Sequence, residues 1–513
     1  MATQGFIHFG PYRVHPTQGL FRGELEVPVT PKALAVLLAL ARRPREVVTR
    51  TELFDTVWAG RVVSDAALSS CIRDLREALG DCARAPRFLE TVHGRGFRLC
   101  AAAQRDDELG EQDVRNAQPT LLVLPFDNVS GSPHAGILAT GLTHDVITHI
   151  ARSRLTLVIA RGTAFHFAGR DRDVGEIGKK LGVRYVVQGA VQVENRRLVL
   201  TVELSEAPAR RIIWAERFSR SIDDWMVLQQ ELSELIVASI EHQVQAEEIR
   251  RSQLLPSEDL DAWSAYHRGL SHMYRFRERD CQRAEHWFRR SIELEPGISR
   301  PWAGLSFVNF ERAFLNREPN REQQIEQALD LAQRGVAIDS YDPMAHWALS
   351  RAHLLRGELD ESKDAVETAI RLNPSYAIAQ YSRGWVGLQR GENQVCDDRI
   401  GFARRLSPYD PLKYAMLGVS GLNLAMIGRH EEALDLARQS LQHRNAHYLV
   451  KGFAAVTCAV SGHFEQASDY LKQIRAVSPG YDVDDFLMVF RFQREQDLSQ
   501  VNRAFTEMRR LAG

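Results

Sequence analysis

Lysine is nearly missing from this chain: 7 residues against 58 arginines in a total of 513. The arginines are spread throughout, so the skew reads as a compositional bias and not as a basic tail. Cysteine is scarce too, with six residues (71, 82, 100, 281, 396, 458) and no CxxC pair. That excludes most disulfide frameworks and thiolate zinc sites and suits a reducing cytosol. No apolar run approaches the roughly 18 residues needed to cross a bilayer. The longest, Leu121–Phe126 and Phe453–Val460, fall far short. No charged-then-apolar leader opens the chain, so the expected location is cytoplasmic, with no membrane partner.

The composition is that of an ordinary globular protein, 44% hydrophobic and 26% charged. At roughly 100–200 residues per domain, the length suggests three or four domains. The net charge of −1 hides an asymmetry. Residues 1–100 carry 14 basic and 10 acidic groups, whereas residues 104–118 carry 2 and 5. A positive head on a near-neutral body points to a polyanion partner.

Residues 101–118 hold many charges and only two large apolar side chains, Leu109 and Val114, and read as a solvated linker. Ahead of it, residues 5–27 contain short alternating strands at Phe6–Phe9, Tyr12–Val14 and Leu20–Arg22. Thr30-Pro31 caps a helix and starts it with proline. A second helix is expected over Arg50–Trp58. A third begins at Ser64 or Asp65 and stops at Gly80. In that third helix Leu68, Ile72, Leu75 and Leu79 form one apolar stripe. Ser70, Arg73 and Glu77 then lie near the opposite face, with Ser69 and Arg76 on a flank. Cys71 reads as a small packing residue. Strand 88–92, the glycine turn His93-Gly94-Arg95-Gly96 and strand 97–99 make a hairpin with basic groups at its tip.

Strands, three helices and a hairpin are the order of a winged helix. The words Val63-Ser64-Asp65, Ile72-Arg73, Leu75-Arg76, Ala78-Leu79-Gly80 and Glu90–Leu99 resemble the OmpR/PhoB-type DNA-binding domain over residues 1–100. The resemblance implies double-stranded DNA as partner. It implies base contacts from Ser70 and Arg73, a phosphate contact from Arg76, and a place for Ser69 among the DNA-binding residues. It gives backbone or minor-groove contacts to Thr91, His93 and Arg95 on the wing. Asp74 and His93 stand where relatives carry more basic residues, which lowers the positive field of a single head.

Residues 119–250 read as α/β, with strands near 120–126, 155–160, 184–193 and 197–205. Asn195-Arg196 is the turn between the last two. Helices are expected near 137–151, 173–182 and 224–249. The words LLVLPFDNVSG, LVIARGTAF and IGKKLGVRYVVQGAVQ resemble the TolB amino-terminal domain. Ser132-Pro133-His134 departs from that family's usual loop. Residues 257–480 repeat. Gly357, Gly391, Gly428 and Gly462 are each followed after five residues by Ser362, Cys396, Ala433 or Ala467. After seventeen comes Pro374, Pro408, Asn445 or Pro479. Glycine turns the chain between two helices, the small residue lets them approach, and proline or asparagine stops the second. This resembles the tetratricopeptide repeat. Two earlier copies bring the count to six, with capping helices over 481–513.

The fold class is therefore multidomain: a winged helix-turn-helix, an α/β TolB-like domain and an all-α tetratricopeptide superhelix. The order resembles CadC- and HilA-type bacterial regulators. It implies a sequence-specific DNA-binding transcriptional regulator whose later domains sense, self-associate as a homodimer, or bind a protein partner. The alternative is a tetratricopeptide scaffold whose winged helix makes protein contacts. No nucleophile–base pair, metal-ligand cluster or cofactor motif is legible, so no enzyme, metal or cofactor is expected. Gly175–Lys180 is no phosphate loop, because Asp173 and Lys180 occupy the places of its required Gly and Ser/Thr.

Overall fold

The computed structural model describes residues 7–15, 19–22, 25–58, 65–83, 86–92, 94–101, 103–105, 118–131, 133–167, 173–194, 197–221, 225–315, 320–443 and 447–512. Ser64, His93, Ser132, Asn195, Arg196 and Asn445 lie outside them, as does most of the expected linker. The chain divides into two compact units, residues 1–115 and 116–513.

The first unit opens with a meander of β1 (Ile7–Phe9), β2 (Tyr12–His15), β3 (Gly19–Arg22) and β4 (Leu25–Val27). Three helices follow: α1 (Pro31–Ala41), α2 (Arg50–Trp58) and α3 (Asp65–Leu79), with the short β5 (Val48–Thr49) before α2. Thr30 caps α1, its hydroxyl accepting from the Ala33 N–H at 3.3 Å. A capping box starts α2. Glu52 accepts from the Thr49 N–H and hydroxyl, both at 2.7 Å, and the Glu52 N–H donates back to Thr49 Oγ1 at 3.2 Å. Then come β6 (Leu89–Val92) and β7 (Gly96–Leu99), which form a three-stranded sheet with β5. Leu37, Leu53, Leu68, Leu75, Phe97 and Leu99 share one dry core. The Tyr12 hydroxyl donates to Leu79 O at 2.9 Å and fastens the first sheet to the end of α3.

One boundary needs correction. Ala103–Arg105, placed in the linker by composition, is a strand (β8) that pairs antiparallel with β1. It has no apolar alternation to announce it, and only the partner strand reveals it.

The second unit opens on a mixed parallel and antiparallel sheet. Its parts are β9 (Thr120–Val123), β10 (Asp127–Asn128), α4 (Pro133–Ser153), β11 (Leu157–Val158), α5 (Arg161–Phe165) and α6 (Val174–Leu181). These are followed by β12 (Tyr185–Glu194), β13 (Arg197–Glu206), β14 (Arg211–Ser221) and α7 (Trp225–Leu254). β9 runs parallel to β11 and β12, while β12, β13 and β14 are antiparallel. Alternation along β9 sends Leu121 and Val123 to the core shared with α4 and α7. Leu122 goes to the other face, against Ala164 of α5 and Ile177 of α6. The edge strand β14 is an addition to the four strands expected. Asp173 caps α6, accepting from the N–H groups of Gly175 and Glu176 at 2.8 and 3.1 Å. Its carboxylate sits where a phosphate loop would receive an anion.

After α7 the chain is helical. Six antiparallel hairpins follow: Ala262–Met273 with Glu278–Leu294, Ser299–Phe314 with Arg321–Ile338, Pro343–Arg356 with Leu359–Leu372, Ala377–Arg390 with Asn393–Leu406, Lys413–Met426 with His430–Leu441, and Tyr448–Val460 with Phe464–Arg475. Val483–Val489 and Glu495–Ala512 close the stack. Gly357, Gly391, Gly428 and Gly462 have φ of +82, +76, +83 and +83°, the left-handed turn for which glycine carries no steric penalty. Ser362, Cys396, Ala433 and Ala467 are fully buried where the paired helices meet.

The α/β part and the hairpins share one continuous core running from Leu121 to Met508. Polar ties cross between them as well. Arg300 donates to Ser153 O, and the Asn373 amide donates to Glu241 at 3.2 Å.

Candidate DNA-binding surface and an internal cavity

The third helix turns the expected stripe inward: Leu68, Ile72, Leu75 and Leu79 are buried. Ser69, Arg73 and Glu77 are exposed on the outer side, and Ser70 is half-exposed. The Arg73 side chain is 78% exposed. Its guanidinium donates to Ser70 Oγ at 3.2 Å and lies 3.8 Å from Asp74. Both contacts are weak and easily exchanged for a base edge. Cys71 is buried. Burial and the nearby Asp74 push its thiol up, so it packs as an inert small side chain.

Arg76 is placed differently from a free phosphate contact. Its guanidinium donates to Leu89 O at 3.0 Å and to Thr91 Oγ1 at 2.9 Å, both on β6. It therefore holds the wing against α3, and Thr91 is its acceptor. Arg95 is exposed at the wing tip beside Gly94, whose φ is +71°. Gly96 is fixed by packing: a Cβ there would stand 2.1 Å from Val48 O. Only glycine lets β7 run this close to β5. His93 lies outside the described residues.

Two features that sequence reasoning missed brace this surface. Asp81, just past α3, accepts four backbone N–H bonds from Cys82, Arg87, Phe88 and Leu89 at 2.6–3.0 Å. Partial burial works to raise its carboxyl, but these donors outweigh it and hold the group below its ordinary value. Arg50 lies over the Phe97 ring at 5.4 Å and 3.5 Å from Asp65, linking the start of α2 to the wing and to α3. An acidic residue directly after a helix stop, six to eight residues before a strand, was the available signal for Asp81.

Residues 24–99 match the family model for the C-terminal domain of transcriptional regulatory proteins, and residues 117–235 match the second domain of HilA/YgeH-like transcriptional regulators. The order of these two domains is similar to that of the CadC/HilA-type regulators. Salmonella typhimurium HilA is 21% identical over 356 residues, 68% of this chain and 61% of that protein. A Rhizobium meliloti protein named as an adenylate cyclase is 30% identical over 249 residues, 48% of this chain and 42% of that one. The chain thus spans about two-fifths to three-fifths of the length of these relatives. Among solved structures, the DNA-binding domain of Escherichia coli CadC is 26% identical and matches 20% of this chain and 99% of its own, with a TM-score of 0.19. Among the described residues no helix is long and apolar enough to cross a membrane, and no group of three His, Cys, Asp or Glu could hold a metal.

The second unit of this CadC/HilA-like chain contains a cavity of about 410 Å³ between α7 and the first hairpins. Glu241 and Ile249 of α7 face Tyr266, Arg300, Asn373 and Asp410 across it. Arg300 is buried and lies 3.4 Å from Asp342. Glu241 opens onto the cavity yet lies deep in the unit. Burial pushes its carboxyl up to about 7, against the Asn373 amide that favours the charged form. Burial likewise raises Asp410. The volume falls in the range of small-ligand sites.

Proposed function

We propose that this chain is a sequence-specific DNA-binding transcriptional regulator working in the bacterial cytoplasm. Its second unit answers to a bound small molecule or protein partner. The observation that carries the reading is the outer face of α3. Arg73, Ser69 and Ser70 stand clear of the core on a helix that Arg76 locks to a wing tipped by Arg95. A helix so presented fits a major groove, and a guanidinium there can contact both acceptors of a guanine. Arg95 supplies the non-specific phosphate attraction. In this reading Arg76 and Thr91 position the wing, while Arg73, Ser69 and Ser70 read bases. The cavity between α7 and the hairpins supports the sensing role. The stack of hairpins supports a protein partner or pairing of two chains.

Genome-wide footprinting of the full chain tests this. Discrete enriched sites sharing a sequence, lost in Arg73→Ala, are expected. Uniform occupancy with no shared sequence would favour the scaffold alternative, in which the winged helix makes protein contacts.

A further inference from the structure

Residues of all six hairpins, most of them on inner helices, line a small, partly open chamber of about 20 Å³ rich in aromatic rings. Arg351, on Pro343–Arg356, is part of the lining, with only 5% of its surface exposed. Its guanidinium lies 4.3 Å over the Phe310 ring and 5.0 Å over the Trp385 ring. These rings take the faces of the planar cation and leave its N–H edges pointing elsewhere. Buried arginines normally meet a carboxylate, because an uncompensated interior charge is costly. Arg300 follows that rule with Asp342. Arg351 does not: it has no ion-pair partner among the described residues, and its buried Nη1 meets no acceptor.

Other polar atoms on residues that line the same chamber share this condition. The Tyr381 hydroxyl, the Trp385 Nε1 and the Tyr414 hydroxyl are buried without a hydrogen-bond partner. Arginine and indole nitrogens can only donate. The tyrosine hydroxyls retain their protons, because burial raises both. Four donor groups on side chains from three consecutive hairpins thus line one chamber that holds no carboxylate; its other polar lining residues are Ser382, whose hydroxyl accepts from Trp347 Nε1, and His447. Glu311 and Asp410 act on Tyr414 from outside the chamber walls and do not pair with Arg351. The chamber has room for about one water-sized species. Phe490 stacks on Trp385 at 4.9 Å with the rings 2° apart, and the Gln493 N–H donates to Gln389 O at 2.8 Å. The chain after Val489 thus packs against the wall and helps keep bulk water out.

We propose that the hairpin stack binds one halide-sized monoanion, in the cell chloride, on the donor edge of Arg351 with help from Tyr381, Trp385 and Tyr414. The ion supplies the missing acceptor and neutralises the buried cation. Because its donors come from the third, fourth and fifth hairpins, it ties their inner helices together. An anion bound only by the folded stack stabilises it by mass action. The stiffness of the proposed sensing unit then depends on halide and not merely on ionic strength.

Thermal unfolding of the full chain in chloride, bromide, formate and gluconate at equal ionic strength tests the inference. Chloride and bromide should raise the midpoint of the second unit with a saturable dose dependence. Formate, which is too large for the chamber, should behave like gluconate. Crystals grown in bromide should show an anomalous peak within hydrogen-bonding reach of Arg351 Nη1. Arg351→Met should abolish the halide response. Should that variant not fold, Tyr381→Phe should weaken the apparent halide affinity at least threefold. Equal midpoints in chloride and gluconate overturn the proposal, as does water alone at the bromide position. A formate response matching that of chloride overturns the halide assignment. None of these readouts involves DNA, so they stand apart from a failure of the regulator reading.

Discussion

Arg184 and Glu248 form a buried pair: one guanidinium nitrogen lies 2.9 Å from both carboxylate oxygens, and each side chain is only 5% exposed. Arg184 immediately precedes β12 and Glu248 sits near the end of α7, so the pair pins the long helix to the sheet. The Tyr185 hydroxyl donates to the same carboxylate at 2.7 Å. Burial and that neighbouring carboxylate both push the tyrosine hydroxyl upward, so it remains a donor. Glu248→Ala strips Arg184 of this buried counter-charge and should cost about 3–5 kcal/mol. Arg184→Met should cost less, because Tyr185 still donates to Glu248 and Arg251 stands 3.9 Å away. Denaturant unfolding of the full chain measures both, and equal small losses would contradict the arrangement.

The arginines of the head divide into two kinds. Arg76→Ala removes both bonds to β6 and should lower the melting midpoint of the head, by about 1–3 kcal/mol in stability. Arg73→Ala should leave stability unchanged. It should reduce specific affinity by about 1–3 kcal/mol and relax the preference at one base position. Arg95→Ala should weaken binding evenly across sequences and flatten the salt dependence. Gel-shift titrations at two salt concentrations, with melting of each variant, separate these outcomes. Full affinity in Arg73→Ala and Arg95→Ala together would remove the proposed interface.

What sequence could show of this chain depended on distance along it. The Thr30-Pro31 start, the inward stripe of α3 and the glycine-to-small-residue phasing are decided by neighbours a few positions away, and the helices follow them. The outward face of Arg73 follows from the same stripe. The bond from Arg76 to Thr91 is hidden from the sequence, because Thr91 is fifteen residues off and in another element. β14 leaves no alternation in the sequence because an edge strand buries little: of Arg211–Ser221 only Phe218 is buried. The cavity was beyond reach, since Glu241, Arg300, Asn373 and Asp410 meet only after the hairpins stack on α7. So was Arg351, whose residue type ordinarily signals surface.

Close helix approach in the fifth hairpin sets a limit on side-chain size. Ala433 is fully buried, and a Cβ added at Gly421 on the facing helix would stand 3.1 Å from Ala433 O. Ala433→Leu should force Lys413–Met426 and His430–Leu441 apart and cost about 1–3 kcal/mol. The loss should be confined to residues 116–513. Hydrogen exchange read by segment checks this, and faster exchange in α1–α3 as well would argue against two separate units.

Glu241 makes the stability of the second unit depend on pH in an unusual direction. Its carboxyl is raised to about 7 by burial, above the ordinary 4.5 expected on unfolding. Between those values the folded state retains a proton that the unfolded state has released. Stability from this group is therefore full below about 4.5, falls as pH rises toward 7, and is level above. Its opening onto the cavity tempers the size to about 1–2 kcal/mol. Glu241→Gln keeps a neutral partner for Asn373 and should flatten this slope, making the variant the more stable protein at pH 8. Parallel unfolding series at pH 5 and pH 8 decide it, and a variant no more stable than wild type at pH 8 would refute the assignment.

The head has its own core and a modest positive charge, which bears on how it is used. Asp74 lies beside Arg73, and Glu90 pairs with Arg98 on the wing, so two of the basic groups near the DNA-facing surface are partly neutralised. A single head should then bind weakly. Pairing of two second units would raise the effective concentration of the second head at an adjacent half-site without any new DNA contact. The isolated head must include Ala103–Arg105, because β8 completes the sheet on β1. Residues 1–105 should fold but bind the target at least tenfold more weakly than the full chain. Their affinity should not respond to the condition that changes transcription. Titration of both proteins on DNA bearing one or two half-sites gives the comparison. A fragment that matches the full chain on both DNAs would mean the second unit contributes neither pairing nor control.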